Sequence, residues 1–183
     1  MLQIDFSTFP EVNTARLLLR KISSKDAQEI LHLRSDEHVM QYIAKEKAAT
    51  IEDAEVFINR IVQALESNDG ITWAITLKEN PDTLIGTIGY WRLIKEHHRA
   101  EIGYMLNPAY WKQGIMQEAL REVIEVGFNA LKLHSIEANI HPENIASANI
   151  LISTGFLKEA FFRENFFYNG TFKDTEVYSR FQK

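Results

Sequence analysis

The chain has 183 residues, 45% of them hydrophobic and 25% charged, with a formal net charge of −5, the balance of one ordinary globular domain spanning 1–183. With no cysteine, disulfides, thiolate metal sites and a cysteine nucleophile are excluded. The acidic balance offers no phosphate-tracking basic surface, the start Met1-Leu2-Gln3-Ile4-Asp5 does not read as a signal peptide, and no apolar run reaches the roughly 18 residues of a membrane span. Nucleic-acid and membrane partners are therefore not expected, and a cytoplasmic location is.

Thr14 to Arg20 reads as a first strand, short and apolar between two arginines. Ser23-Ser24-Lys25-Asp26 and Thr50-Ile51-Glu52-Asp53 are helix-start signals. Each is followed by apolar residues at helical spacing, and Asn68-Asp69-Gly70 closes the second helix. The period then changes. Ile71–Leu77 and Leu84–Leu93 read as strands around the turn Asn80-Pro81-Asp82-Thr83, and Gly86 and Gly89 mark a bulge or a close backbone approach in the second. Ala100–Leu106 is a further strand, stopped by Asn107-Pro108. A helix is expected over Ile115–Leu131, a strand over His134–Ile140, and a helix over Asn144–Thr154 that ends at Gly155. Leu157–Tyr168 and Thr171–Phe181 flank Asn169-Gly170, a strong hairpin signal. The order describes an α/β (α+β) domain with a mixed, mostly antiparallel sheet of about seven strands and about four helices.

The chemistry concentrates in Tyr104–Ala119, a strand, a short loop and a glycine that opens a helix. The first N–H groups of a helix lack internal partners and, with the helix dipole, form an anion site. Gly114 lets backbone approach a phosphate, and Lys112 adds charge. The same pattern also serves an ordinary strand-to-helix turn capped by glycine. His97-His98, His134 and His141 do not make a metal pattern, and no metal is called for. Trp73 and Trp91 read as packing residues, and the aromatics between Phe161 and Phe172 as hairpin core or a dimer surface.

The loop Trp111-Lys112-Gln113-Gly114-Ile115-Met116 resembles the [QR]-x-x-G-x-[GA] acetyl-CoA loop of the GNAT (GCN5-related N-acetyltransferase) superfamily. It departs at Trp111, where Gln or Arg is usual, and at Met116, where a small residue is usual. The chain is more closely similar to the RimJ/RimL-type branch, the ribosomal-protein N-terminal acetyltransferases. That likeness rests on Thr14-Ala15-Arg16-Leu17-Leu18-Leu19-Arg20, on Glu101-Ile102-Gly103-Tyr104, on Tyr110-Trp111-x-x-Gly114-x-x-x-Glu118-Ala119, and on Asn144, Ser147, Gly155 and Phe156 in register.

The resemblance implies an acetyl-CoA-dependent N-acetyltransferase working by direct attack of an amine in a ternary complex. It implies a cofactor cradle of Tyr104, Met105, Leu106, Lys112, Gln113, Gly114, Ile115, Met116 and Asn144, with pantetheine lying like an added strand between Tyr104–Leu106 and Ile136–Ile140. Ser147 would lie near the thioester sulfur, and its hydroxyl can donate to the leaving thiolate. Asn144 would bond the pantetheine arm, although Asn144 and Ser147 also fit plain N-cap and N3 positions. Many GNAT enzymes carry a tyrosine seven residues after this asparagine. Leu151 stands there, which removes that mechanism.

Glu101 is the candidate general base, or else a strand-end carboxylate paired with Arg99; Glu164 is the alternative. The acceptor is expected to be a protein N-terminus or a small amine, lined by Val39–Thr50, Leu93–Arg99 and Phe162–Tyr168. A homodimer is also compatible with the aromatic hairpin, and a non-catalytic CoA-binding module is the remaining reading.

Overall fold

The alternation of helical and strand periods is realised in the computed structural model, which describes residues 1–182. The first half contains β1 (Val12–Asn13), β2 (Leu17–Lys21), α1 (Ala27–Ser35), α2 (Glu37–Met40), α3 (Ile51–Glu66), β3 (Ile71–Leu77) and β4 (Gly86–Ile94). The second contains β5 (Arg99–Leu106), α4 (Ile115–Glu125), β6 (Ser135–Ile140), α5 (Ile145–Ser153), β7 (Leu157–Tyr168) and β8 (Thr171–Phe181). The mixed α/β class is as expected, with one strand and one helix more. The extra strand is the two-residue β1, which lies back on Leu18 and Leu19. The extra helix is the single turn α2, started by the Asp36 carboxylate accepting from the His38 and Val39 N–H groups.

One sheet runs in the order β1-β2-β3-β4-β5-β6-β8-β7, antiparallel throughout except between β5 and β6. α1 and α3 bury Ile30, Leu33, Ala54 and Ile58 against Ala74 on one side. α4 and α5 bury Leu120, Val123, Ala148 and Leu151 on the other, in the larger core with Tyr90, Ile102 and Ile136. The capping boxes form at both expected places: Asp53 accepts from the Thr50 N–H, and Asp26 from the Ser23 N–H. Asp26 is also almost fully buried in an ion pair with Arg20 at 2.6 Å, which anchors the start of α1 to β2.

Of the two features suggested for the glycines of β4, they mark the close approach. A Cβ at Gly89 would stand 2.2 Å from the Ile71 carbonyl oxygen, so neighbouring backbone closes on it. A bulge follows at Trp91, between the Tyr90↔Ile102 and Arg92↔Glu101 pairs.

The helix expected over Ile115–Leu131 is instead shorter. α4 stops at Glu125, and Val126–Ala130 closes in a π turn in which the Leu131 N–H donates to the Val126 carbonyl. The cause lies underneath, where the buried Tyr90 hydroxyl donates to the Val123 carbonyl at 2.7 Å. Gly127 makes the room, since a Cβ there would come within 2.2 Å of that hydroxyl. Gly127→Ala is expected to cost about 1–3 kcal/mol by overpacking, read as a lower urea midpoint with an unchanged slope.

Candidate active site

The opening in the sheet lies between its two parallel strands. β5 and β6 pair only over Arg99–Glu101 and Ser135–Glu137. Beyond that, β5 runs on to Leu106 held by β4 alone, and β6 to Ile140 held by β8 alone. The facing edges of Ile102–Leu106 and Ala138–Ile140 share no ladder, so an extended, amide-bearing ligand can pair between them. Tyr104, Met105 and Leu106 stand on this fork as expected. Ile136 and Glu137 do not, because they still belong to the paired part.

At the open end of β5 the chain turns through Pro108–Tyr110 into α4. The Trp111 indole N–H donates to the Leu106 carbonyl at 2.8 Å and straps the turn shut. Lys112 (φ 59°) and Gly114 (φ 75°) are both left-handed, and Gly114 caps α4 with no side chain. The first amides of α4 are thus left for a ligand. Ile115 and Met116 offer only backbone there, because both side chains are buried in the core. The Met116 side chain therefore does not crowd the loop. Gln113 folds its side chain back onto the Ala109 carbonyl.

Arg16, from the turn between β1 and β2, reaches this loop. Its Nε pairs with Glu118 at 2.7 Å and its Nη1 donates to the Gln113 carbonyl at 3.0 Å. Its Nη2 lies 3.6 Å from where a Gly114 Cβ would stand. Glu118 also accepts from the Thr14 hydroxyl at 2.5 Å and from the Arg16 N–H at 2.9 Å. Burial pushes the Glu118 carboxyl up, but these bonds outweigh it and hold the group below its ordinary value. The carboxylate in the first turn of α4 is thereby paired with a guanidinium.

On the α5 side of the fork, the Asn144 Oδ1 caps the helix by accepting from the Ser147 N–H at 3.1 Å. The capping reading is thus realised, and it engages only one of the two polar atoms of the amide. Ser147 is buried, with its Oγ 2.6 Å from the Tyr104 hydroxyl. Burial pushes the Tyr104 phenol up to about 12, against the opposing effect of that hydrogen bond. Leu151 is wholly in the core. A phenol is nevertheless present: it arrives from β5 rather than from α5.

Residues alternate along a strand, so Glu101 and Gly103 face away from Tyr104, toward the side of Glu137 and Asn139. Burial raises the Glu101 carboxyl, with help from the charge of Glu137; a hydrogen bond from Asn139 and the charges of Arg92 and Arg99 act the other way. Arg99 pairs with Glu137 at 3.5 Å, not with Glu101. Trp91, far from being core, is exposed and lies 3.3 Å from where a Gly103 Cβ would be. At the end of β6, His141 stacks on Tyr42 at 5.4 Å, which brings the Val39–Thr50 segment to the fork.

The Leu93–Arg99 segment leads into the paired end of β5, where Lys95 bonds Asp69, and does not line the opening. Glu164 sits at a bulge in the outermost strand, its N–H on Asp174, and makes no contact with Glu101 or Ser147.

The acetyltransferase (GNAT) domain model matches residues 16–157, the part that holds the fork, the loop and the hydroxyl pair. The chain belongs to the GNAT acetyltransferase family. The uncharacterized N-acetyltransferase YoaA of Bacillus subtilis (strain 168) is 39% identical over 93% of this chain and 96% of its own. The crystal structure of a GNAT-family acetyltransferase from Bacillus anthracis superposes with a TM-score of 0.83 at 31% identity, covering 94% of this chain and 98% of that one. The ribosomal-protein-S5-alanine acetyltransferase of Vibrio fischeri gives 0.82 at 28% identity, over 94% and 96%. The protein is an N-acetyltransferase, and a relation to the RimJ/RimL branch agrees with these likenesses. Among the described residues no helix is long and apolar enough to cross a membrane, and no group of three or more His, Cys, Asp or Glu is arranged to hold a metal.

Arg16 and the hydroxyl pairing of Tyr104 are the features of this acetyltransferase's site that sequence reading missed. The only signal for Arg16 was that both Thr14-x-Arg16 and Gly114-x-x-x-Glu118 stood in family register. Arg16→Ala is expected to lower affinity for coenzyme A roughly 5- to 20-fold, the worth of one lost charge-assisted contact. It should cost under about 1 kcal/mol of stability, since the guanidinium is half-exposed. Titration calorimetry beside urea unfolding separates the two effects, and unchanged affinity would leave Arg16 a mere strut.

Proposed function

We propose that residues 1–183 act as one cytoplasmic domain that transfers acetyl from acetyl-CoA to the N-terminal α-amine of a protein, of the ribosomal-protein type. The observation that carries this reading is the buried Tyr104–Ser147 hydroxyl pair beside an unpaired strand fork. Acetyl-CoA supplies an activated acetyl thioester and a thiol leaving group. The amides of Gln113 to Met116, with Lys112 and Arg16, hold its phosphates. Tyr104–Leu106 and Ala138–Ile140 receive the pantetheine, and the free end of the Asn144 amide bonds it.

Glu101, from the opposite face of β5, accepts the proton of the incoming ammonium, directly or through a water. The C–N bond then forms as the C–S bond breaks; the Ser147 hydroxyl donates to the departing sulfur, and the surplus proton that the new amide nitrogen sheds returns through solvent to restore the serine. A phenol is a stronger acid than an aliphatic alcohol. Tyr104 therefore donates to the Ser147 Oγ and leaves the serine proton pointing at the sulfur. Its raised phenol stays neutral across the working range.

Two considerations favour an α-amine acceptor. An α-amino group has a pKa near 7.7–8.0 and is partly neutral at pH 7.4, whereas a lysine-like or polyamine nitrogen near 10.4 is neutral about once in a thousand. A carboxylate base, even one raised by burial, suits the first kind far better. The 28% identity to an enzyme named for ribosomal protein S5 alanine points the same way.

Thiol release over N-terminal peptides, polyamines, amino acids and aminoglycosides tests the proposal. Turnover should be highest with peptides. A preference for the small amines would reassign the acceptor, and binding of acetyl-CoA without any turnover would leave a CoA-binding module. Ser147→Ala is expected to lower kcat about 10²-fold with acetyl-CoA affinity nearly unchanged. Tyr104→Phe should cost about tenfold alone and little in the Ser147→Ala background, because it acts through the serine.

Because the Glu101 carboxyl is raised, kcat/KM should rise with pH on an acid limb above the ordinary carboxylate value near 4.3. Below that limb the base is protonated and inactive. Glu101→Gln should slow the reaction and erase the limb while leaving the rise near pH 8 that belongs to the acceptor amine; an unaltered profile would move the base elsewhere.

A further inference from the structure

A β-bulge sets two residues of one strand against one residue of its partner. In β4 the two are Trp91 and Arg92, and the residue they oppose is Glu101. An unbroken ladder would pair Trp91 with Glu101 and turn Arg92 to the other face. The extra residue keeps both on the Glu101 side. Arg92 is the register partner of Glu101, and the Trp91 Cδ1 and Nε1 stand 3.3 and 3.7 Å from where a Gly103 Cβ would be. Gly103 lies two residues along β5 from Glu101 and so shares its face. The bulge and the glycine together hold the indole on the strand beside the candidate base.

Nothing in the folding of the chain calls for a ring there. Trp73 and Trp111 donate their indole N–H groups to the Pro10 and Leu106 carbonyls. Trp91 makes no such strap among the described residues, and it is 56% exposed. The exposed phenylalanines of β7 and β8 are not hairpin core either, but they belong to the outermost strands, away from the fork.

We infer that Trp91 determines acceptor specificity, its indole forming the wall on which the side chain of the acceptor's first residue packs while the amine meets Glu101. This rests on the α-amine reading given above. The nitrogen itself does not belong on the ring. A cation–π contact stabilises an ammonium, which opposes the proton loss that attack requires. The ring suits the neighbouring carbon substituent instead. Glu101 and Gly103 are about 7 Å apart along one face. A carbon carrying an amine on one bond and a methyl on another bridges that gap at hydrogen-bond and van der Waals distances.

Charge narrows the choice further. Arg92 and Arg99 both act on Glu101 with their positive charge. A second cation close to the reacting nitrogen meets them, so a polyamine or a lysine-first peptide is disfavoured. The acceptor that fits is an α-amine whose first residue has an uncharged side chain.

Hexapeptides that differ only in their first residue test this. On the wild-type protein, kcat/KM for an alanine-first peptide should exceed that for its glycine-first twin about tenfold, the low end of what one methyl contact confers. Trp91→Ala should bring that ratio to within about twofold of one, whereas Trp91→Phe should keep most of it. The change should fall on KM more than on kcat, because the packing is alike in ground and transition states. Acetyl-CoA affinity by calorimetry should hold in both variants.

A wild-type ratio near one, an unchanged ratio in Trp91→Ala, or an equal loss with both peptides would overturn the inference and leave the α-amine reading standing. Turnover confined to polyamines or free amino acids would overturn that reading, and this inference with it. Should Trp91→Ala unfold, the indole N–H resonances of the wild-type protein decide. With coenzyme A bound, the alanine-first peptide should shift the Trp91 resonance, the glycine-first peptide should shift it less, and Trp73 should stay in place. An unmoved Trp91 resonance would refute the contact.

Discussion

The parting of β5 from β6 is the constraint on which the rest of this molecule depends. A sheet ordinarily satisfies every inner N–H and C=O, and edge groups left open are costly or dangerous unless something covers them. Here the opening falls in the middle of an eight-stranded sheet, with each strand still held along its outer edge. The bulge at Trp91 adds local twist to β4 just where β5 leaves its parallel partner. Gly103 lets the exposed indole lie down on β5 at the same level. The fork is therefore a rigid slot with unsatisfied backbone along both walls, a shape that rewards a ligand carrying its own amides.

Around this slot the chemistry is divided by the faces of a single strand. Tyr104 points to the α5 side and meets Ser147, while Glu101 points to the other. Three residues of extended chain, about 10 Å, separate them. Burial acts on both groups in the same formal direction, disfavouring the charged form. The consequences are opposite. The phenol is held as a donor throughout the physiological range, and the carboxylate becomes a somewhat stronger base. One strand thus presents a carboxylate on one face and a phenol on the other.

Legibility in the sequence followed the range of each interaction. The hairpin boundaries were read to the residue, because Asn169-Gly170 supplies two consecutive left-handed positions and little else tolerates them. The caps at Ser23–Asp26 and Thr50–Asp53 were likewise local. The π turn after Glu125 was not legible, because its cause is a hydroxyl on β4 that takes a carbonyl from α4. Nor was the exposure of Trp91, since nothing in its neighbours announces that a bulge turns it outward. At the site, the loop around Gly114 was plain from its pattern. The Tyr104–Ser147 pair, 43 residues apart, and the Arg16–Glu118 pair, 102 apart, were visible only as separate motifs. The absence of a tyrosine at position 151 argued against a phenol when the fold had supplied one from another element.

That substitution of elements has a physical logic. Position 151 lies on the face of α5 that packs into the core, where a leucine gains more from burial than a phenol, whose hydroxyl would need a partner. Tyr104 meets that need differently: its ring packs against the main core while its hydroxyl ends on the first turn of α5. The Arg16–Glu118 clamp makes a parallel trade. Trp111 uses the position of the usual loop side chain to strap the turn, and a guanidinium comes instead from Arg16, in the turn before β2. Tyr104 is thus delivered to the fork by a strand of the sheet and not by the loop or helix end beside it. Side chains rooted in a sheet hold their geometry more tightly than those on loops. The site is thereby preorganised by the same ladder that opens the fork.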